Sequence, residues 1–126
     1  MKYLVILLFL LLASPSMGHA IKPLPIVRVT GTVLLGSTLG FTNIAVVDRK
    51  EIFQELPSWK VIVKNKISRN SARYYFLLKD ANNEFRRIME KVAFEHKVDL
   101  VVVSGGVTAM GVRVLDLTET ILRRLR

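Results

Sequence analysis

The sequence predicts a small α/β domain with a small β-body, formed by one strand and a C-terminal β-hairpin, and with a C-terminal helix. Two short runs rich in β-branched residues predict buried strands at residues 43–48 and 99–104. Between them, apolar residues recur every three or four positions over residues 71–96, which is the pattern of an amphipathic helix. A chain of 126 residues has the length of a single domain.

Residues 1–20 have the pattern of a cleavable signal peptide. Lys2 precedes an unbroken apolar run at residues 3–13, and a break at residues 14–16 is followed by small residues at the cleavage position, Ala20. The apolar run is much shorter than the roughly 20 residues that cross a bilayer. We therefore expect cleavage after Ala20 and a periplasmic protein; an uncleaved inner-membrane anchor is the alternative.

The segment after the signal peptide, residues 21–42, is predicted to be a linker with a possible short strand. Its prolines and glycines are spaced too irregularly for a helix. The folded domain is expected at residues 43–126, beginning with the first of the two predicted strands.

Short helical segments are expected after the first strand. Asp48 can cap a helix over residues 49–56, and Pro57 is expected to end it. Ser58 is then expected to cap residues 59–67, whose periodicity fits a helix or a strand equally well.

The C-terminal part of the chain is predicted to be a hairpin followed by a helix. Gly105-Gly106 forms a turn after the second predicted strand, and residues 107–114 return as a third strand. Asp116 is expected to cap a helix that begins at Leu117, with Glu119 completing a capping box. Arginines at the other end of this helix suit its dipole.

Charge is the most unusual bulk property of the chain. Nineteen basic residues outnumber ten acidic ones, for a formal net charge of +9. Such a charge attracts phosphate, anionic lipid and acidic protein surfaces through fields that salt weakens. The chain has no cysteine, so no disulfide supports it in an oxidising compartment, and oligomerisation is the usual substitute.

Catalytic chemistry is not indicated. Of the two histidines, His19 would leave with the signal peptide, and His96 is expected on the surface at the end of the long helix. The spacing of carboxylates and histidines does not match a metal site, and Gly105-Gly106 precedes a strand, unlike a phosphate-binding loop. We predict a protein that is not an enzyme, with no cofactor and no metal.

One segment has the composition of a binding surface. Residues 57–79 mix cations with aromatic residues and contain no acidic residue. We call its proposed contact residues the basic aromatic segment: Trp59, Lys60, Lys64, Lys66, Arg69, Arg73, Tyr74, Tyr75 and Lys79. Unfolded or acidic proteins, or an anionic membrane surface, are the expected partners; nucleic acid is not expected for an exported protein. The alternative is a solvated helix face whose aromatic residues enter the core.

Both ends of the predicted domain resemble the Skp (OmpH) family of periplasmic chaperones. Residues 43–48 and 52–57 are similar to its opening strand and to a helix with a Phe-Gln-x-x-Pro-like sequence. Val92-Ala93, residues 99–102 and residues 116–118 are similar to its closing strand, hairpin and terminal Asp-(Ile/Leu)-Thr helix.

The resemblance implies a trimeric holdase that binds unfolded outer-membrane proteins. It also implies a central β-body whose oligomer core is Ile44, Val46, Leu100, Val102, Val107 and Val112. The helical hairpin arm is shortened, however, since only about 30 residues lie between the first predicted helix and the Val92 region, and a helical hairpin of that length reaches only about 20 Å. An arm of that length cannot form a client cage.

A second resemblance leads to a different class of function. Residues 103–107 and 116–118 are similar to the closing pattern of TrbI of F-type conjugative transfer systems, a compact protein with an N-terminal membrane segment. This resemblance implies a component of a type IV transfer system that assists pilus assembly. A retained N-terminal segment would favour TrbI, and cleavage after Ala20 would favour the chaperone.

Overall fold

The structure is a computed structural model, and it describes residues 24–126. The expected signal peptide, residues 1–20, and its cleavage position lie outside the described residues. Across residues 24–126, none of the helices combines the length and the apolar composition that crossing a membrane requires.

The protein has an α/β fold, as predicted, with a C-terminal helix. Among residues 24–126, three strands come first, then three helices, then three strands and a final helix. In chain order these are β1 (Ile26–Val29), β2 (Val33–Leu35), β3 (Ile44–Val47), α1 (Arg49–Phe53), α2 (Pro57–Lys64), α3 (Ala72–Glu95), β4 (Leu100–Val103), β5 (Val107–Met110), β6 (Val114–Asp116) and α4 (Thr118–Leu125).

The central sheet has four strands in the order β2-β4-β3-β6. Strand β3 runs parallel to both β4 and β6, with Ile44 opposite Leu100 on one side and Val114 on the other. Parallel neighbours need a long crossover connection, and helices α1 to α3 supply it between β3 and β4. Strand β2 pairs with β4 in the antiparallel direction.

The predicted turn at Gly105-Gly106 is present, with Gly105 at φ +86° and strands on both sides. These strands pair with different neighbours: β4 lies in the central sheet, and β5 pairs with β1 in a separate antiparallel ribbon. The strand predicted at residues 107–114 is divided into β5 and β6, because Gly111 at φ +71° redirects the chain.

Residues 21–42 contain the possible short strand twice, as β1 and β2, and both pair with strands of the later part of the chain. The residues that follow β1 lie against the backbone of Gly106. Thr30 N and Gly31 N both donate to the Gly106 carbonyl oxygen, at 2.8 and 3.2 Å. A Cβ atom on Gly106 would lie 2.6 Å from the Gly31 Cα, so only glycine fits this approach.

Two apolar clusters lie on the two faces of the central sheet, as the alternation along its strands requires. On one face, Ala45, Val47 and Val101 pack against the buried residues of α3 and α4. On the other face, Ile44 of β3 and Leu100 and Val102 of β4 pack against residues of β1 and β5. The helices therefore cover one side of the sheet, and the β1–β5 ribbon covers the other.

The first helices differ in detail from their prediction. Asp48 caps α1 as expected, with its Oδ1 accepting from Glu51 N at 3.1 Å. Helix α1 ends at Phe53, and Pro57 is the first residue of α2, where its missing N–H costs no hydrogen bond. Ser58 is not the cap; Leu56 occupies that position. Ser58 instead donates its hydroxyl to Glu84 Oε1 at 2.6 Å.

Helix α3 confirms the amphipathic helix predicted over residues 71–96, with both of its bounds. Ser71 is its N-cap and accepts from Tyr74 N at 3.2 Å, and His96 is its C-cap. Helix α2 packs against α3, so the shortened helical hairpin is present.

The last helix begins one residue later than predicted. Leu117 is the N-cap of α4, and Asp116, the last residue of β6, accepts from Thr118 N at 3.0 Å. The predicted capping box is not formed by the described residues: the Glu119 side chain makes no hydrogen bond to the start of α4. The shift has a physical reason, because the Thr118 hydroxyl turns inward to accept from Asp48 N at 2.8 Å.

Candidate binding site

A cleft of about 720 Å³ opens beside the carboxyl ends of β3 and β4. Asp48 follows β3 directly and Ser104 follows β4 directly, and both line it. In α/β sheets, ligands bind outside the carboxyl ends of parallel strands, so this is the expected place for a site. We call it the strand-end cleft. Its lining consists of Asp48, Arg49, Lys50, Phe53, Gln54, Trp59, Tyr74, Leu78, Asn82, Val103 and Ser104.

One wall of the strand-end cleft is aromatic and aliphatic. Phe53, at the end of α1, meets Trp59 in the first half of α2, with ring centroids 5.3 Å apart and planes tilted by 60°. Tyr74 and Leu78 come from α3, where a spacing of four residues places them on one face. Three helices therefore supply a single apolar wall.

The floor of the cleft is fixed by hydrogen bonds at the strand ends. Ser104 N donates to the Val47 carbonyl oxygen at 2.8 Å, which continues the pairing of β4 with β3 beyond its last residue. Asp48 N donates to the hydroxyl of Thr118, a side chain that is only 5% exposed. The start of α1 is thus anchored to the start of α4.

Two cations stand at the polar side of the cleft. The Arg49 guanidinium lies 5.9 Å from the centre of the Phe85 ring, and its Nη2 is 3.5 Å from Asn82 Oδ1. Lys50 is its exposed neighbour. Within residues 24–126, neither of the two makes a salt bridge. The cleft therefore combines an apolar wall with cations available to an anionic group.

The basic aromatic segment divides between this cleft and the open surface. Trp59 and Tyr74 are half-buried and line the cleft. Lys60 makes a salt bridge of 3.0 Å with Glu55 and, with Lys64, lines a smaller adjoining hollow. Tyr75 is outside both and is 63% exposed.

The remaining cations of the segment are on the surface. Lys64, Lys66, Arg69, Arg73 and Lys79 are all exposed. In the described part of the chain, none of these five has a carboxylate within salt-bridge distance.

The residues expected in an oligomer core lie mainly inside the single chain. Ile44, Leu100 and Val102 are 1%, 0% and 0% exposed. Val107, the first residue of β5, and Val112 pack against these three. The sixth residue, Val46, is partly exposed. Within one chain, five of the six belong to one apolar cluster.

Metal-ligating side chains do not gather in the described residues, where no group of three or more His, Asp or Glu side chains could hold an ion. The Nδ1 of His96 lies 3.0 Å from the Val92 carbonyl oxygen of the preceding turn. This places His96 at the helix end, where the sequence predicts it.

The amino ends of β3 and β4 carry ionised groups that are paired. Backbone N–H groups of Thr42 and Asn43, each 2.8 Å from a carboxylate oxygen of Asp99, hold the pKa of Asp99 below its ordinary value. The Arg124 guanidinium binds the Glu95 carboxylate through two hydrogen bonds, lowering the pKa of Glu95 and raising that of Arg124.

The sequence did not indicate Arg49, Lys50, Asn82 or Ser104 as site residues. One available signal was that Asp48 and Ser104 each follow a short β-branched run. Had those two runs been interpreted as neighbouring parallel strands, both residues would have been placed at one sheet edge. The interpretation of residues 99–114 as a hairpin does not place Ser104 beside Asp48, because that relation depends on the pairing of β4 with β3.

Comparison of the chain with protein-family models, with curated proteins and with solved structures finds no match in any of the three.

Proposed function

We propose that the protein is a non-enzymatic periplasmic binding protein that holds unfolded or acidic polypeptides on its basic aromatic segment, in the manner of a Skp-like holdase. The observation that supports this most is an aromatic pair on the exposed face of α3. Tyr75 and Phe76 are 63% and 61% exposed, with ring centroids 5.8 Å apart in an edge-to-face arrangement.

The surroundings of this pair favour a polypeptide partner. Two exposed aromatic rings offer apolar area that a partner side chain can bury. The five surface cations of the segment, which have no carboxylate partner among the described residues, attract acidic chains over a distance. Contacts of this kind are weak and reversible, and salt screens them. These are the properties of a holdase that binds without turnover.

The length of the helices indicates surface binding rather than enclosure. Helix α2 has eight residues and therefore spans only about 12 Å, at 1.5 Å per residue. Helix α3 contributes Ala81, Phe85 and Met89 to the core, and the hydrogen bond from Ser58 to Glu84 places the start of α2 beside the middle of α3. The helical pair therefore ends near the middle of α3. A client chain would lie along this short pair of helices.

The test is the aggregation of an unfolded outer-membrane porin, diluted from urea, with and without the purified protein. A several-fold excess of the protein is expected to delay light scattering at low salt. Replacing both Tyr75 and Phe76 by Ser is expected to shorten the delay by at least half. Since both side chains are exposed, the thermal unfolding midpoint should change little.

A charge-matched pair of variants separates local attraction from net charge. Changing Lys64, Lys66, Arg69, Arg73 and Lys79 to Gln removes five charges from the segment. Changing Arg86, Arg87, Lys91, Arg113 and Arg123 to Gln removes five exposed charges elsewhere. The first variant should lose most of the delay and the second should keep it. Equal activity in both would remove the segment from the proposal, and no delay by the unmodified protein would overturn the holdase function.

The second candidate function is that of a TrbI-like component of a conjugative transfer system. Its support is the short pair of helices, since a compact protein suits an assembly component better than a client-enclosing chaperone. Mass spectrometry of the N-terminus of the exported protein tests it. A retained N-terminal segment together with neighbouring pilus-assembly genes would favour this candidate, and cleavage after Ala20 beside outer-membrane assembly genes would favour the holdase.

A further inference from the structure

We propose that the strand-end cleft receives an aromatic side chain of the bound polypeptide, with acidic residues beside that side chain held by Arg49 and Lys50. This inference rests on the proposed function, because it names the part of a client chain that the protein would select. It concerns a different surface from the exposed Tyr75 and Phe76 pair, so the two can be tested separately.

The size and wall of the cleft suit an aromatic ring. Its volume of about 720 Å³ falls within the range of about 300–1,000 Å³ that ligand sites occupy. The tilted rings of Phe53 and Trp59 present both an edge and a face, the two arrangements that a third ring prefers. Leu78 and Val103 complete an apolar lining against which a ring would lose its water.

The charges of the cleft select an acidic neighbour for that ring. Arg49 is already oriented by Asn82 and by the Phe85 ring, so binding an anion costs it little side-chain freedom. Lys50 adds a second positive charge at the opening. The carboxylate of Asp48 also lines the cleft and keeps its negative charge, with one oxygen accepting from the N–H of Glu51, so two cations face one anion and the net charge of the lining is positive.

The continuation of the cleft favours a polypeptide over a small molecule. Trp59 and Gln54 line both the cleft and the adjoining hollow of about 400 Å³, so the two hollows are joined along one ring. The hollow carries Lys60 and Lys64 at its edge. An extended acidic chain can place one side chain in the cleft and continue past these lysines, whereas a small molecule would leave the hollow unused.

Trp59 makes the site directly observable. It is the only tryptophan of the 126-residue chain, so fluorescence excited selectively at tryptophan reports on the ring that the cleft and the adjoining hollow share. The probe is a tryptophan-free peptide, acetyl-Glu-Asp-Phe-Asp-Glu-amide, titrated into the purified exported protein at low ionic strength. A saturable change in Trp59 emission is expected. The same peptide with Ala in place of Phe should bind roughly tenfold more weakly or worse, as the loss of one buried ring implies.

Variants assign the charge preference. Arg49→Gln with Lys50→Gln is expected to weaken peptide binding roughly fivefold and to flatten its salt dependence. The charge-matched control, Arg113→Gln with Arg123→Gln, removes two exposed charges away from the cleft and should bind as the unmodified protein does. Circular dichroism and the thermal midpoint check that both variants are folded.

Three results would overturn the inference: no saturable fluorescence change, unchanged binding in the Arg49 and Lys50 variant, or N-acetylphenylalanine binding as tightly as the peptide. The porin assay separates this failure from that of the proposed function. Delayed aggregation without peptide binding would reject the cleft alone. Peptide binding without delayed aggregation would reject the holdase function and leave the cleft as a peptide site.

Discussion

The two ends of the parallel strands β3 and β4 differ in whether their charged side chains are paired within the chain. At the amino ends, the Asp99 carboxylate accepts two backbone N–H groups, and Glu95 is paired with Arg124. At the carboxyl ends, Arg49 and Lys50 stand beside an open apolar wall and make no salt bridge within the described residues. Charges satisfied inside the chain hold the fold together, and charges left available are the ones that a partner can use.

The backbone of the carboxyl end is nevertheless firmly held. The N–H of Asp48 donates to Thr118, and the N–H of Ser104 donates to the Val47 carbonyl oxygen. The main chain of the cleft is therefore hydrogen-bonded, while its cationic side chains remain available to a partner. A binding site needs this combination, because a partner gains more from groups that are already in position.

The largest effect is expected at the amino end from Gly36→Ala. Gly36 has φ +84°, and a Cβ atom there would run into the carbonyl oxygen of Asp99. Backbone strain and overlap together should lower the free energy of unfolding by roughly 3 kcal/mol. Urea unfolding followed by circular dichroism measures this loss.

Gly40→Ala is the matched control for that variant. A Cβ atom on Gly40 would have no neighbour within 4 Å, so its free energy of unfolding should stay within about 0.5 kcal/mol of the unmodified protein. A similar loss in both variants would show that the segment before β3 tolerates no side chain, whatever its contact with Asp99.

An intermediate effect is expected at the carboxyl end from Thr118→Val. The substitution keeps the shape of the side chain but leaves the N–H of Asp48 without the acceptor that it has at 2.8 Å. The free energy of unfolding should fall by about 1–3 kcal/mol, the cost of an unsatisfied buried donor. Peptide binding in the strand-end cleft should weaken as well, because Arg49 and Lys50 follow Asp48 directly.

Thr118→Ser distinguishes the hydroxyl from the methyl group. It retains the acceptor and loses one methyl group, for a cost of about 0.8 kcal/mol. Serine should therefore be the less destabilising replacement and should preserve peptide affinity. If valine proves to be the milder of the two, packing rather than the hydrogen bond holds this end of β3.

These elements differ in how far the sequence alone reveals them. The amphipathic period of α3 runs long enough to predict a helix from about Ser71 to His96, and in the structure these two residues are its caps. The β-branched runs predict β3 and β4 because a short apolar run bounded by polar residues is the pattern of a buried strand. Both signals are local, and the structure confirms both.

Strand pairing is not a local property. β5 pairs with β1, about 80 positions earlier in the chain, in a register that joins Ile26 to Met110. The pairing partner of a strand depends on which distant apolar faces meet, so it cannot be predicted from the composition of one segment. The candidate site divides in the same way: Trp59 and Tyr74 belong to a recognisable segment, whereas Arg49 and Ser104 become neighbours only when β3 and β4 lie parallel.

The smallest effect concerns pH and the amino end. Asp99 has a lowered pKa because the N–H groups of Thr42 and Asn43 donate to its ionised carboxylate. A group whose pKa is lower in the folded state stabilises the protein above the pKa of the unfolded chain. That stabilisation is lost as the pH falls through the lower, folded value. Asp99→Asn should therefore be less stable than the unmodified protein at pH 7, and the gap should narrow under acid.

Urea unfolding of both proteins at intervals from about pH 7 to pH 3 measures this gap. Asp80→Asn is the control, since Asp80 is exposed on α3 and its side chain makes no hydrogen bond within the described residues. Its free energy of unfolding should stay within about 0.5 kcal/mol of that of the unmodified protein at pH 7, as for other surface substitutions. A gap for Asp99→Asn that is independent of pH would mean that the amide replaces the carboxylate fully, and that charge has no part in holding the amino ends of β3 and β4 together.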